Sequence, residues 1–276
     1  MTTLFDTGVS LFFLIKEEVA DSIGVRRLDI FDNDTSIVFN GVKLPMEEGI
    51  LDSVEIADFK FYNIPVGIYK FDPISNIPDS LVNHNHERKE SLEYFSNSMS
   101  IVMGYPAMFL MGKIIVDFEN NVLSFPDDSL IQTNNNIEPN LFAYTTALFT
   151  RLYINDIPFT AHVDFGSTSY MQIHSSFYEK NKCKIPVKSV ADKKPLNISM
   201  IHNTWLNIPY EIPENPILKF NSKIVLAKED NVIEIYSLSG QSVPGTFDGH
   251  IGYPFFRNLG KKILLDFDNM RIDIIE

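Results

Sequence analysis

Short runs of alternating β-branched and aromatic residues dominate the chain, and turn-forming residues separate them. Runs of this length and composition predict half-buried strands. The clearest runs are residues 36–39, 50–56, 59–69, 147–154, 159–163, 223–227 and 232–236. Helical signals are few and short, at residues 16–23, which Gly24 ends, and at residues 175–181. The pattern therefore predicts a mainly β protein with few short helices.

An internal repeat relates two parts of the chain. Residues 104–125 and 252–274 share nine identities in 22 aligned positions, with one extra Lys in the second copy. Each copy holds an apolar run, an Asp-Phe-acid-Asn segment and a second alternating run, which predicts a β-hairpin with Asp117 or Asp266 in its turn. The repeat implies that the chain consists of two related halves.

Two stretches without hydrophobic periodicity interrupt this pattern. Residues 78–100 are predicted to form a polar insertion or a short helix, and residues 127–140 have the composition of an interdomain linker. We therefore predict an N-terminal lobe at residues 1–126, a linker at residues 127–142 and a C-terminal lobe at residues 143–276.

An acidic turn opens each half. The first half contains Leu4-Phe5-Asp6-Thr7-Gly8, and the second contains His162-Val163-Asp164-Phe165-Gly166. A predicted strand that ends in Gly follows each acid, at Gly104 (98 residues after Asp6) and at Gly252 (88 residues after Asp164). This arrangement resembles the pepsin-like and retropepsin-like aspartic proteases, and the resemblance covers residues 4–125 and 145–274.

The resemblance implies a bilobal acid-protease fold of two homologous β-barrel-like lobes with a cleft between them. It also implies that Asp6 and Asp164 are the catalytic pair of an aspartic-type endopeptidase. Two carboxyls within hydrogen-bond reach share one proton, as aspartic proteases illustrate, so the pair supplies both the acid and the base for attack by water. The residues expected to shape the two turns are Thr7, Gly8, Gly166 and Ser167, whose hydroxyl could reach the Asp164 carboxylate.

Phe165 departs from the family pattern, which has Thr or Ser at this position. A Phe side chain cannot return the hydrogen bond that Thr7 can donate between the turns. The pair could then be looser, or Phe165 could pack into its lobe and rotate the turn. The alternative function is therefore a catalytically impaired peptide-binding module, and a purely structural duplicated β-domain is a third reading.

Two further features concern the first half. Its acidic turn follows only five residues, whereas a predicted hairpin precedes Asp164. We hypothesise that the natural protein continues upstream with this hairpin and with a secretion signal, which would make it secreted or periplasmic; the compartment is otherwise open. The predicted flap over the cleft is the hairpin at residues 39–51, with Gly41 and Gly49 at flexible positions.

Composition and charge limit the partners. The net charge of −13 disfavours binding to nucleic acids and to anionic lipid surfaces, and the hydrophobic share of 45% is that of a globular protein. No apolar run approaches the ~18 residues that cross a bilayer. His84 and His86 lack further ligands at a defined spacing, which favours a solvated loop, and the resemblance to aspartic proteases implies no metal or cofactor. We expect a monomer that acts on a peptide or protein substrate.

Overall fold

The computed structural model describes residues 2–28, 36–39, 42–69, 99–126, 138–144, 147–188, 194–199, 205–226, 231–236 and 247–275. Over these residues the protein is mainly β, as predicted, and its helices are short. The helices are α1 (Glu17–Ser22), α2 (Tyr105–Met111), α3 (Ser175–Asn181) and α4 (Tyr253–Leu259). None of the described helices has the length and hydropathy needed to cross a membrane.

The strands fall into three sheets. In chain order they are β1 (Thr2–Asp6), β2 (Phe13–Lys16), β3 (Arg26–Arg27), β4 (Ser36–Phe39), β5 (Val42–Ile56), β6 (Phe59–Tyr69), β7 (Met99–Gly104), β8 (Lys113–Asp117), β9 (Val122–Ser124), β10 (Leu141–Tyr144), β11 (Ala147–Ile154), β12 (Ile157–Asp164), β13 (Met171–His174), β14 (Lys194–Ser199), β15 (Trp205–Glu211), β16 (Leu218–Phe220), β17 (Lys223–Val225), β18 (Ile233–Tyr236), β19 (Gly249–Gly252), β20 (Lys262–Asp266) and β21 (Arg271–Ile274).

The first two sheets repeat one topology. The first has the order β1-β7-β2-β6-β5-β3, with β4 paired to β5, and the second contains the run β14-β15-β18-β13-β19-β12-β11. In both, the strand that carries the acid pairs in parallel with a Gly-ended strand, which pairs antiparallel with the next one. The strands of the two sheets thus correspond one to one: β1 to β12, β7 to β19, β2 to β13, β6 to β18, β5 to β15 and β4 to β14. The two halves that the sequence repeat implies are therefore present as two sheets of matching connectivity.

The third sheet joins the halves. Its order is β21-β20-β8-β9, and β8 pairs antiparallel with β20. Asp117 lies in the turn of the first hairpin, where its carboxylate accepts hydrogen bonds from the backbone N–H groups of Glu119 and Asn120. Asp266 accepts the equivalent bond from Asn269 at 3.0 Å. Both predicted hairpins and the turn roles of both acids are confirmed.

The main hydrophobic core lies against one face of β12. Along β12, Phe159, Ala161 and Val163 are fully buried, whereas the alternate residues His162 and Asp164 lie on the opposite face and are partly exposed. This alternation positions the site, because it turns the acid away from the apolar core.

The structure adds helices that the sequence analysis did not predict. α2 and α4 each begin directly after the Gly that ends β7 or β19. Pro106 and Pro254 stand in their first turns, where a missing N–H removes no intrahelical hydrogen bond. The predicted helices at residues 16–23 and 175–181 are confirmed as α1 and α3. Of the two aperiodic stretches, at residues 78–100 and 127–140, residues 78–98 and 127–137 lie outside the described part of the chain.

Candidate active site

The two acidic turns meet between the first two sheets. Asp6 ends β1 and pairs with Gly104, and Asp164 ends β12 and pairs with Gly252. A Cβ on Gly104 would overlap the backbone oxygens of Leu11 and Val9, so the Gly-ended strand can pass the acidic turn only without a side chain. The same local packing thus places each acid at the end of its strand.

The carboxyls of Asp6 and Asp164 lie within hydrogen-bond reach of each other. Each is also held by its own turn, because Gly8 N–H donates to Asp6 Oδ1 at 2.7 Å and Gly166 N–H donates to Asp164 Oδ1 at 3.0 Å. A Cβ on Gly8 would lie 2.9 Å from Asp164 Cγ, and a Cβ on Gly166 would lie 2.7 Å from Asp6 Oδ1. Each glycine therefore makes room for the carboxyl of the opposite half.

Burial and mutual repulsion favour a proton on this pair. Burial raises the pKa of Asp164 to about 8, and the neighbouring charge of Asp6 adds to the effect. Burial also raises the pKa of Asp6, against the lowering effect of the Gly8 N–H. Since two adjacent carboxylates cannot both ionise cheaply, the pair keeps a proton at neutral pH, and the titration belongs to the pair.

Thr7 braces the two turns from one side. Its fully buried hydroxyl donates to the backbone oxygen of Val163 at 2.8 Å and accepts from the backbone N–H of Phe165 at 2.9 Å. Both partners belong to the opposite half. The second half returns no equivalent side-chain bond, since Phe165 has no hydroxyl.

Phe165 instead packs into the interior between the halves. Its ring stacks on Phe256 at a centroid distance of 4.6 Å and meets Phe5 edge-on at 5.8 Å. Only 7% of its surface is exposed. Of the two outcomes considered from the sequence, the structure shows the packed side chain, and an aromatic contact stands where the family pattern has a hydroxyl.

The remaining predicted residues are less directly involved. The backbone N–H of Ser167 lies near the Asp164 carboxylate and lowers its pKa, and the Ser167 hydroxyl accepts a hydrogen bond from Ser169 N–H at 3.2 Å. Gly49 lies inside the 15-residue strand β5, paired with Val66 and Arg27. Gly41 lies outside the described residues, between β4 and β5.

Sequence reasoning missed a group of histidines beside the pair. His162 on β12 and His250 on β19 are register partners, and their Nδ1 atoms are 3.1 Å apart. His174 on β13 lies next to them, with its ring centroid 5.2 Å from that of His250. Aligning the two halves residue by residue would have identified the first two, because the equivalent first-half positions hold Leu4 and Val102.

Comparison with known proteins gives only distant structural likenesses. No protein-family model and no curated protein matches the chain. Among solved structures, the EIAV protease complexed with the inhibitor HBY-793 is similar over 47% of this chain and 94% of its own, with 13% identity and a TM-score of 0.28. A crystal structure of edgp is similar over 97% of this chain and 86% of its own, with 11% identity and a TM-score of 0.39. Neither likeness is close enough to carry an argument about function.

Proposed function

We propose that the protein is an aspartic-type endopeptidase in which Asp6 and Asp164 activate a water molecule for attack on a peptide bond. The observation that carries the proposal is the pairing of two largely buried carboxyls from related halves, each fitted against the glycine of the other turn. A structural turn needs no such pairing, because burying two adjacent acids costs free energy unless they share a proton.

The chemistry follows from the shared proton. The ionised carboxyl accepts a proton from the attacking water, while the protonated carboxyl donates to the carbonyl oxygen of the substrate. Nothing distinguishes the two acids by role in advance, since the proton belongs to the pair. Thr7 keeps the two turns in register, and Gly8 and Gly166 leave space for the carboxyls. We propose the β4–β5 hairpin as the flap, with a peptide or protein segment as the substrate.

A peptide-binding module without turnover is the second candidate, and the one-sided bracing by Thr7 favours it. Loss of one of two hydroxyl bridges would allow the turns to shift by a fraction of an ångström, and misplacement of about 1 Å can cost about 100-fold in rate. The packed ring of Phe165 favours the endopeptidase instead, because it holds the second turn against Phe256.

Hydrolysis of a generic unfolded protein between about pH 3 and 7 tests the proposal. We expect cleavage that a statine-type transition-state mimic blocks and that Asp6→Asn and Asp164→Asn each abolish. Asp58→Asn, at an exposed turn between β5 and β6, is the matched control and should retain activity. Binding of the mimic without turnover would support the module, and absence of both would contradict both candidates.

A further inference from the structure

The second half carries a polar cluster where the first half carries an apolar one. The register of the sheets makes His162 equivalent to Leu4 and His250 equivalent to Val102. In the first half, Leu4 and Val102 pack with Leu14, Met46 and Tyr69. The fold therefore accepts aliphatic side chains at both positions, and packing alone does not require histidine there.

The histidine pair is incompletely satisfied as it stands. His162 and His250 share one hydrogen bond between their Nδ1 atoms, so one ring donates and the other accepts. Within the described part of the chain, the buried Nε2 atom of His162 has no hydrogen-bond partner. A buried polar atom without a partner costs about 1–3 kcal/mol. A contribution to folding stability therefore does not explain the histidine pair.

Three potential metal ligands meet around the pair. A nitrogen of His162, a nitrogen of His250 and a carboxylate oxygen of Asp164 all lie within 4.8 Å of one another. Tetrahedral zinc holds its ligands at about 2.0–2.1 Å, which places two ligand atoms about 3.3 Å apart. The 3.1 Å between the two Nδ1 atoms is close to this value.

Aromatic side chains surround the histidine pair. The rings of Phe149 and Phe247 lie 5.8 Å from the His162 ring and limit the access of water. Two imidazoles and one carboxylate form a donor set that zinc and related ions prefer.

We propose that His162, His250 and Asp164 bind a divalent transition-metal ion, with zinc as the reference case. This departs from the expectation, drawn from the sequence, that no metal is involved. The ion would occupy the carboxylate that the catalytic pair needs, so it would inhibit hydrolysis. That consequence rests on the proposed function, whereas the binding itself does not.

The test measures zinc and cobalt binding to the full chain near neutral pH, by calorimetry and by the visible spectrum of cobalt. We expect one ion per chain and a cobalt spectrum of low coordination number. The double variant His162→Leu/His250→Val installs the side chains that the first half has at these positions, and it should bind at least about tenfold more weakly. The control His84→Ala/His86→Ala removes the other closely spaced histidine pair and should bind as the unmodified chain does.

Three results would overturn the proposal. They are the absence of stoichiometric binding, binding unchanged by His162→Leu/His250→Val, and binding lost in His84→Ala/His86→Ala. Zinc X-ray absorption on the unmodified chain is independent of whether a variant folds, and it should count at least two imidazole ligands; one or none would also contradict the site. Because binding is measured without substrate, a protein that binds zinc but hydrolyses nothing would separate this proposal from the proposed function.

Discussion

Gly166 lies directly against the carboxyl of Asp6, on the other half of the molecule. A Cβ at this position would be 2.7 Å from Asp6 Oδ1 and closer still to Cγ and Oδ2. Real Cβ atoms essentially never approach heavy atoms this closely, so a side chain would push the turns apart. The two turns can therefore approach this closely only because residue 166 has no side chain.

Gly166→Ala should abolish hydrolysis and lower the free energy of unfolding by about 1–3 kcal/mol, the usual cost of overpacking. Urea unfolding and the cleavage assay measure the two effects. Gly24→Asn is the matched control, because Gly24 has a positive φ of 73° that Asn tolerates and a Cβ there would meet nothing within 4 Å. An active Gly166→Ala variant would contradict the fitted geometry.

Thr7→Val should be strongly destabilising although it keeps the shape of the side chain. The change leaves the Val163 oxygen and the Phe165 N–H without their buried partner, and each such group costs about 1–3 kcal/mol. Thr7→Ser keeps the hydroxyl and should lose much less. Equal urea midpoints for the Ser and Val variants would show that the hydroxyl does not brace the turns.

Phe165→Thr restores the hydroxyl of the family pattern, yet it should destabilise the protein. A new hydrogen bond contributes about 0.5–1.5 kcal/mol, whereas removing a buried Phe side chain costs about 3–5 kcal/mol. The lost contacts with Phe256 and Phe5 therefore outweigh the gain. Phe165→Leu keeps most of the apolar volume and should cost less. Thermal unfolding of both variants tests this order, and a more stable Phe165→Thr would contradict it.

The carboxyl pair should make the protein less stable as the pH rises from 6.5 to 8. The pKa of Asp164 is about 8 in the folded chain against an ordinary value of 3.8, so the folded chain binds more protons than the unfolded chain in this window. Its free energy of unfolding therefore falls with rising pH. Asp164→Asn should flatten this fall in urea titrations, and a fall that persists in the variant would place its cause elsewhere.

The histidines should have the opposite effect at lower pH, where the free energy of unfolding should rise with rising pH. Burial lowers the pKa of His162 and of His174 from 6.5 to about 4, so the unfolded chain binds more protons between these values. Their contribution to stability is present above pH 6.5 and is lost as the pH falls towards 4. Above pH 6.5 these two histidines no longer change the free energy of unfolding with pH, so its fall in that range measures the carboxyl pair.

Local patterns predicted much of the fold correctly. The alternation at residues 59–69 and 147–154 predicted β6 and β11 with the bounds that the structure has. The Asp-Phe-acid-Asn segments predicted both hairpins of the third sheet, because a short Asp side chain can accept bonds from the backbone of its own turn. α2 and α4 were missed because seven residues are too few for a clear helical period.

The order of residues along the chain was enough to indicate two related halves, two acidic turns and the Gly-ended strands that follow them, since each depends on neighbours within a few positions. The chain alone does not show whether Phe165 loosens its turn or anchors it, because its partners Phe256 and Phe5 are distant in sequence. It also does not show that His162 and His250 become register partners beside Asp164. The histidine pair forms because the parallel strands β12 and β19 pair across 88 residues of chain, and the contact between Phe165 and Phe5 forms because the two halves pack together.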